Sequence, residues 1–222
     1  MTSIVFCLFP GVTQLDMTGP AQFLSRLPNA RVDVAAKTAA PVATDSGFAI
    51  APSTRFEDCP AADIICVPGG HGVAETLGDT ETIAFIARQA AGAKWVTSVC
   101  TGAFLLGKAG LLSGRRATTH WAYAHLLPMV GAVHEGARVV EDGNVVTAGG
   151  VTAGIDFALT LIAREAGEEW AQSVQLSLEY DPAPPFASGT PHQAGDERTR
   201  RLKERIYTAA AARMAEALAA PQ

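Results

Sequence analysis

No apolar run in this 222-residue chain reaches the ~20 residues that a membrane span requires. The opening stretch Met1–Phe9 holds no basic residue and runs straight into Pro10-Gly11, so it reads as a first structural element and not as a secretory leader. Lysine and arginine number 17 against 22 acidic residues, a net charge of −5, which argues against a surface built to neutralise a phosphate backbone. Cysteine is scarce. The four, Cys7, Cys59, Cys66 and Cys100, form no CxxC pair and no Cys/His metal spacing. They read as reduced thiols of a cytoplasmic protein, with no metal expected. Internal repeats are absent, and the one change of composition is the Pro-rich stretch Tyr180–Asp196. Charged residues make up only 18% of the chain and hydrophobic ones 48%, ample material for a large core in one α/β domain with appendages.

What remains alternates between two periodicities. Ser3 to Phe9, Arg31 to Lys37 and Asp63 to Val67 read as buried strands. Thr13 to Leu27 has a helical pattern split by Pro20. Because proline suits a helix's first turn, Thr18 is expected as the cap and Gln14-Leu15-Asp16-Met17 as the connection before it. A hairpin is expected around Asp45-Ser46-Gly47. Asp79 to Ala91 predicts an amphipathic helix capped by Asp79 or Thr80, with Ile83, Ile86 and Ala87 inward. Ala117 to Trp121 reads as a short strand running into a helix through Leu127. Arg138–Glu141 and Asn144–Ala148 pair across Asp142-Gly143. Helices follow at Thr152–Glu165, Glu168–Leu178 and Thr199–Leu218; the last, with alternating charge, reads as a solvated face or a dimer contact. The alternation predicts a doubly wound, mostly parallel sheet with helices on both faces.

The most informative stretch is Lys94 to Leu106. Its first half is β-branched and apolar, its second half small residues and leucines, and Cys100 falls at the join. A residue there is lifted to the carboxyl end of a strand at the start of a helix, the geometry of a nucleophile elbow. Unpartnered N–H groups at the helix end favour a thiolate, and Gly102 allows close backbone approach. The bland alternative is that Cys100 is a small buried apolar residue. The same sheet edge collects Asp16, the glycine loop Pro68-Gly69-Gly70-His71-Gly72, Thr101, His120 and Gly149-Gly150-Val151. Asp16 alone reads first as a helix cap or a solvated loop residue, and the glycine loop as an ordinary turn or an anion-binding nest.

Val67-Pro68-Gly69-Gly70, Ser98-Val99-Cys100-Thr101-Gly102-Ala103 and Ala117-Thr118-Thr119-His120-Trp121 together resemble the DJ-1/PfpI superfamily, a flavodoxin-like fold, over residues 3 to 178. Leu15-Asp16-Met17-Thr18-Gly19-Pro20 and the Cys100-Thr101 pair look most like its isocyanide hydratase branch. The resemblance implies conversion of a small-molecule isocyanide and water to an N-substituted formamide, without cofactor, metal, nucleic acid or membrane, by a homodimer. It implies Cys100 as nucleophile and Asp16 as its acid/base partner. Thr101, Gly70, Gly149, Gly150 and Val151 become supporting contacts, with His120 and His71 behind them. Residues 1–180 would then form the catalytic domain, and 181–222 an arm and helix packed on it or on a dimer. Two features depart from the wider superfamily: Asp16 stands where many members have glutamate, and Thr101 where the peptidase branch has histidine. A glyoxal-directed enzyme and a non-catalytic redox or ligand sensor stay open as alternatives. The regulator branch that resembles this pattern adds a helix-turn-helix region, for which a single final helix is too little.

Overall fold

Strand β1 (Thr2–Cys7) runs through the centre of the molecule in the computed structural model, which describes residues 1–220. Its residues Ile4 to Cys7 are completely buried because strands pack on both sides and helices on both faces. Helix α1 (Gln14–Leu24) returns the chain to β2 (Ala30–Ala36). A small hairpin, β3 (Val42–Ala43) with β4 (Ala49–Ile50), precedes the edge strand β5 (Thr54–Arg55). Then come β6 (Ile64–Val67), the one-turn α2 (Val73–Thr76), α3 (Thr80–Ala90), β7 (Trp95–Val99) and α4 (Gly102–Lys108). β8 (Arg116–Ala117), a 3-10 helix over Ala124–Val130 and β9 (Val133–His134) form a short lobe. β10 (Val139–Asp142) and β11 (Val145–Ala148) are the expected hairpin. Helices α5 (Ala153–Ala166), α6 (Glu168–Ser177), α7 (Pro191–Ala194), α8 (Asp196–Leu202) and α9 (Thr208–Ala219) complete the chain.

The main sheet has the order β10-β11-β7-β6-β1-β2-β5, and every pairing except β10–β11 is parallel. This is the mostly parallel, helix-covered sheet that the sequence predicts. From β1 the chain winds first toward β2 and later back through β6, β7 and β11. The switch point therefore lies between β1 and β6, where loops diverge and leave a crevice at the carboxyl edge.

Several elements differ from the sequence reading, each for a packing reason. Helix α1 begins at Gln14, not near Pro20, so Asp16 sits in its first turn and Pro20 lies inside it. Proline there removes one hydrogen bond to the Asp16 carbonyl. Its ring is accommodated because α5 presents Gly154, where a Cβ would stand only 3.0 Å from Pro20 Cδ. The inward face of α3 is Thr82, Phe85, Ile86 and Gln89, with Ile83 and Ala87 half-buried on its flank. Asp79 caps it as expected, accepting from the Glu81 and Thr82 N–H groups. Between residues 116 and 121 only Arg116–Ala117 is strand, and the helix after it is 3-10, since Pro128 interrupts the ladder and Gly131 (φ 72°) closes it. The final helical run starts earlier than expected, at Asp196, and passes through a π-helical turn, Lys203–Tyr207.

Close approach of α4 to the end of β6 fixes where the elbow stands. A Cβ at Gly102 would lie 2.2 Å from the Val67 carbonyl oxygen and 2.7 Å from that of Pro68, both unyielding backbone. Gly102→Ala should therefore cost about 1–3 kcal/mol or more and lower the melting temperature by several degrees. Gly92→Ala, where the space is open, should stay within about ±0.5 kcal/mol. Equal melting temperatures for the two variants would refute this account.

Candidate active site

Cys100 occupies the left-handed region, φ 56°, one of three non-glycine residues that do so among those described. Such a conformation costs on the order of 1–3 kcal/mol and persists only where surroundings over-determine it. Here they do. The Cys100 N–H donates to the carbonyls of both Ala148 (3.0 Å) and Gly149 (2.8 Å) at the end of β11. Its own carbonyl accepts from the Thr119 hydroxyl at 2.7 Å. The chain thus turns sharply from β7 into α4 with the thiol at the carboxyl edge. The Thr101 and Val151 N–H groups and the Thr101 hydroxyl donate toward the sulfur.

Asp16 reaches the same point from the opposite side of the switch crevice. Its carboxyl does not cap its own helix: Oδ2 accepts from the Gly69 N–H at 3.0 Å. The next N–H in the loop, that of Gly70, donates to Thr101 Oγ1 at 3.1 Å. Successive amides of one loop therefore position the acid and the threonine beside the cysteine. A Cβ on Gly69 would lie 2.6 Å from the Thr101 nitrogen and 2.9 Å from Asp16 Oδ2. Only glycine fits there, and the Gly69 and Gly70 amides serve these two side chains.

Electrostatics depart from the thiolate expected from the helix end alone. Burial, followed by the Asp16 charge, pushes Cys100 well above the ordinary thiol range, although the donors from Thr101 and Val151 pull it down. Asp16, 1% exposed, is raised to about 7, first by burial, against the opposing bonds from Gly69 and Cys100. Oδ1 is buried without a regular hydrogen-bond partner among the described residues. Acid and thiol are therefore a coupled pair that holds one proton over a broad range above neutrality.

The other sequence candidates separate. Val151 faces the sulfur, but Gly149 is no donor: its N–H is taken by the Arg138 carbonyl at 2.9 Å. The Gly70 N–H is likewise taken by Thr101. Gly150 lies against the His120 ring, where a Cβ would come within 2.8 Å of Cδ2. His120 makes no hydrogen bond to Cys100 or Asp16; burial lowers it to about 4, and its Nδ1 accepts from the Ala122 N–H. It is neutral and stacks in an aromatic group with Trp121, Tyr123 and Tyr207. His71 is exposed at the loop surface. Sequence reasoning passes over Thr119, Tyr123 and Tyr207. Thr119 lies within a motif already noted, whereas nothing in local periodicity brings Tyr207 from the final helix to this edge. Cys7, Cys59 and Cys66 are free, each raised chiefly by burial, Cys59 to about 11 and Cys66 to about 12. No cluster of metal-binding side chains occurs among the described residues.

A cysteine elbow on the carboxyl edge of a doubly wound sheet defines the class, and the chain belongs to the DJ-1/PfpI family, whose model matches residues 2–164. Within that family its relatives include the isonitrile hydratase of Pseudomonas putida, 56% identical over 191 residues, 86% of this chain and 84% of that protein. A THiJ/PfpI family protein from Pseudomonas syringae superposes with a TM-score of 0.94 at 37% identity, covering 99% of this chain and 91% of its own. The HTH-type transcriptional regulator GbdR of Pseudomonas aeruginosa is 32% identical over 137 residues, 61% of this chain but only 37% of the regulator.

The buried Asp16 carries a stability signature. Between the ordinary carboxylate value of 3.8 and about 7, the folded protein keeps a proton that the unfolded chain has released. Stability therefore falls as pH rises through that window, at a slope of about 1.4 kcal/mol per pH unit. Asp16→Asn can still accept from Gly69 but never ionises. It should melt higher than the native protein at pH 8, with the difference closing by pH 4. A variant less stable than the parent at both pH values would contradict the burial argument.

Proposed function

We propose that this protein is an isocyanide (isonitrile) hydratase, adding water to an isocyanide to give an N-substituted formamide. The observation that carries the reading is the juxtaposition of a pinned cysteine and a buried, raised-pKa carboxyl with no histidine between them. The relationship to the Pseudomonas putida isonitrile hydratase supports the same substrate class.

In this reading the resting pair holds one proton, on Cys100. Asp16 takes it as the sulfur attacks the terminal isocyanide carbon, then delivers it to that carbon. The product is a thioimidate, Cys100–S–CH=N–R. Asp16, again a carboxylate, removes a proton from water as the oxygen attacks the same carbon, and that proton passes to nitrogen. The carbon–sulfur bond then breaks, the new hydroxyl loses its proton through Asp16 to the departing sulfur, and R–NH–CHO leaves. Donors from Thr101 and Val151 stabilise the sulfur while it carries charge. Every step is a proton transfer or the making or breaking of a bond at one carbon, so the scheme uses no cofactor.

Cytoplasmic residence fits four free cysteines, and no helix among the described residues is long and apolar enough to cross a membrane. In this reading residues 1–180 serve as the catalytic domain and 181–222 as its appendage, of which 181–220 form an arm and helix folded onto it while 221–222 lie outside the described residues. A homodimer would cover the exposed Leu176 and Phe186. Light scattering at dilute concentration should give twice the chain mass of 23.1 kDa; a fully active monomer would remove the dimer from the proposal.

Mass spectrometry during incubation with cyclohexyl isocyanide should find a transient adduct on Cys100 and released formamide, while methylglyoxal is turned over poorly. Cys100→Ala should be inert. Asp16→Asn should lose about 10²–10⁴-fold or more, the usual worth of general acid–base assistance. Because Asp16 must be ionised to receive the thiol proton, kcat/KM should rise through about pH 7 and fall only far above it. Near-normal turnover by Asp16→Asn, or faster turnover of methylglyoxal than of the isocyanide, would sink the reading.

A further inference from the structure

The family match ends at residue 164, yet the final helical run lies against the active edge. α9 packs on α2 and on the 3-10 helix. The π-helical turn Lys203–Tyr207 precedes it directly. Such turns insert one residue into the helical ladder and re-aim the side chains around them, often at functional sites. Tyr207 is the last residue of this turn. Its ring centroid lies 5.1 Å from that of His120, 5.4 Å from Trp121 and 5.9 Å from Tyr123. The His120 ring rests on Gly150, the residue before Val151, whose N–H faces the Cys100 sulfur. Tyr207 therefore stands one ring away from the nucleophile's own surroundings. Burial, and then the charge of Cys100, raise its phenol.

Two concave spaces flank this ring group, one lined by Tyr207 and the other by Tyr123. An outer groove of about 330 Å³ runs between the 3-10 helix and α9, and Tyr207 forms part of its wall with Ala122 and Leu126. A second, surface pocket of about 140 Å³ is lined by Gly70, Tyr123 and Met214 together with the exposed His71, Ile206 and Arg213, and Cys100 is not one of its walls. Gly70 is the residue whose N–H holds Thr101 in place beside Cys100. Tyr207 and Tyr123 meet edge to face, at 81°, between the two spaces.

We propose that Tyr207 is a specificity-determining residue whose ring, set against Tyr123 and His120, separates the outer groove from the Cys100 site and restricts the substrate to compact substituents. This deepens the hydratase reading and rests on it for the identity of the substrate. The final helix thereby becomes a wall of the site. Tyr207→Phe keeps the wall, Tyr207→Leu thins it, and Tyr207→Ala opens the groove toward the Tyr123 and His120 rings.

The test compares kcat/KM for methyl isocyanide and 2-naphthyl isocyanide in the native protein and these three variants, each checked by thermal melting. The ratio of naphthyl to methyl turnover should rise roughly tenfold or more in Tyr207→Ala, less in Tyr207→Leu, and not at all in Tyr207→Phe, the scale by which pocket volume discriminates substrates. Should the alanine variant fail to fold, the leucine variant decides. A ratio unchanged in the folded variants, or an equal loss for both substrates, overturns the proposal. A parallel measurement needs no turnover: alkylation of Cys100 by iodoacetamide and by N-(2-naphthyl)iodoacetamide, followed by peptide mass mapping. If the native protein turns over neither isocyanide, the hydratase reading fails, while the alkylation ratio still decides the role of Tyr207: a rise in Tyr207→Ala upholds it and no change refutes it.

Discussion

Two adjacent backbone amides, those of Gly69 and Gly70, hold the site together. One bonds Asp16 and the other Thr101, on elements that begin far apart in sequence. This works because Gly69 has no side chain; any Cβ would occupy the space that Asp16 Oδ2 and the Thr101 backbone already fill. The arrangement depends in turn on the parallel sheet, which brings the ends of β1, β6 and β7 to one edge at the switch point. The acid, the glycine loop and the elbow are three consecutive products of that topology.

Burial then sets the chemistry. A carboxyl and a thiol placed together away from water cannot both ionise at moderate pH, because each negative charge opposes the other and neither is well solvated. The fold could have neutralised them with a nearby cation or histidine. It supplies neither among the described residues: His120 is itself kept neutral by burial and faces the aromatic group instead. What results is an acid–thiol pair that holds one proton above neutrality, suited to a reaction that takes up and returns a proton at one carbon. The strained backbone of Cys100 belongs to the same design, since carbonyls from β11 and the Thr119 hydroxyl hold the sulfur where the acid can reach it.

The residues beyond the family match add a second layer. An α/β sheet edge alone is an open crevice, and the π-helical turn of the final run adds the Tyr207 ring to the aromatic group of His120, Trp121 and Tyr123.

Much of this is legible in the sequence because the signals are local. β-branched runs with glycines after them mark buried parallel strands, and strand ends in such a sheet face one edge whatever the details between. That reasoning alone places Asp16, Cys100, Thr101, Gly70 and Val151 together. The start of the helix around Pro20 is not legible, since proline's usual preference is overridden by contact with Gly154, 134 positions away. Which amides are free for a ligand is equally invisible: Gly70 and Gly149 look like donors until their bonds to Thr101 and to the Arg138 carbonyl are seen. Local patterns are enough to give the sheet, its carboxyl edge and the residue types along it. Three-dimensional packing alone raises the Asp16–Cys100 pair, through burial from all sides, and alone brings Tyr207 against His120, because a distant helical segment folds back toward it.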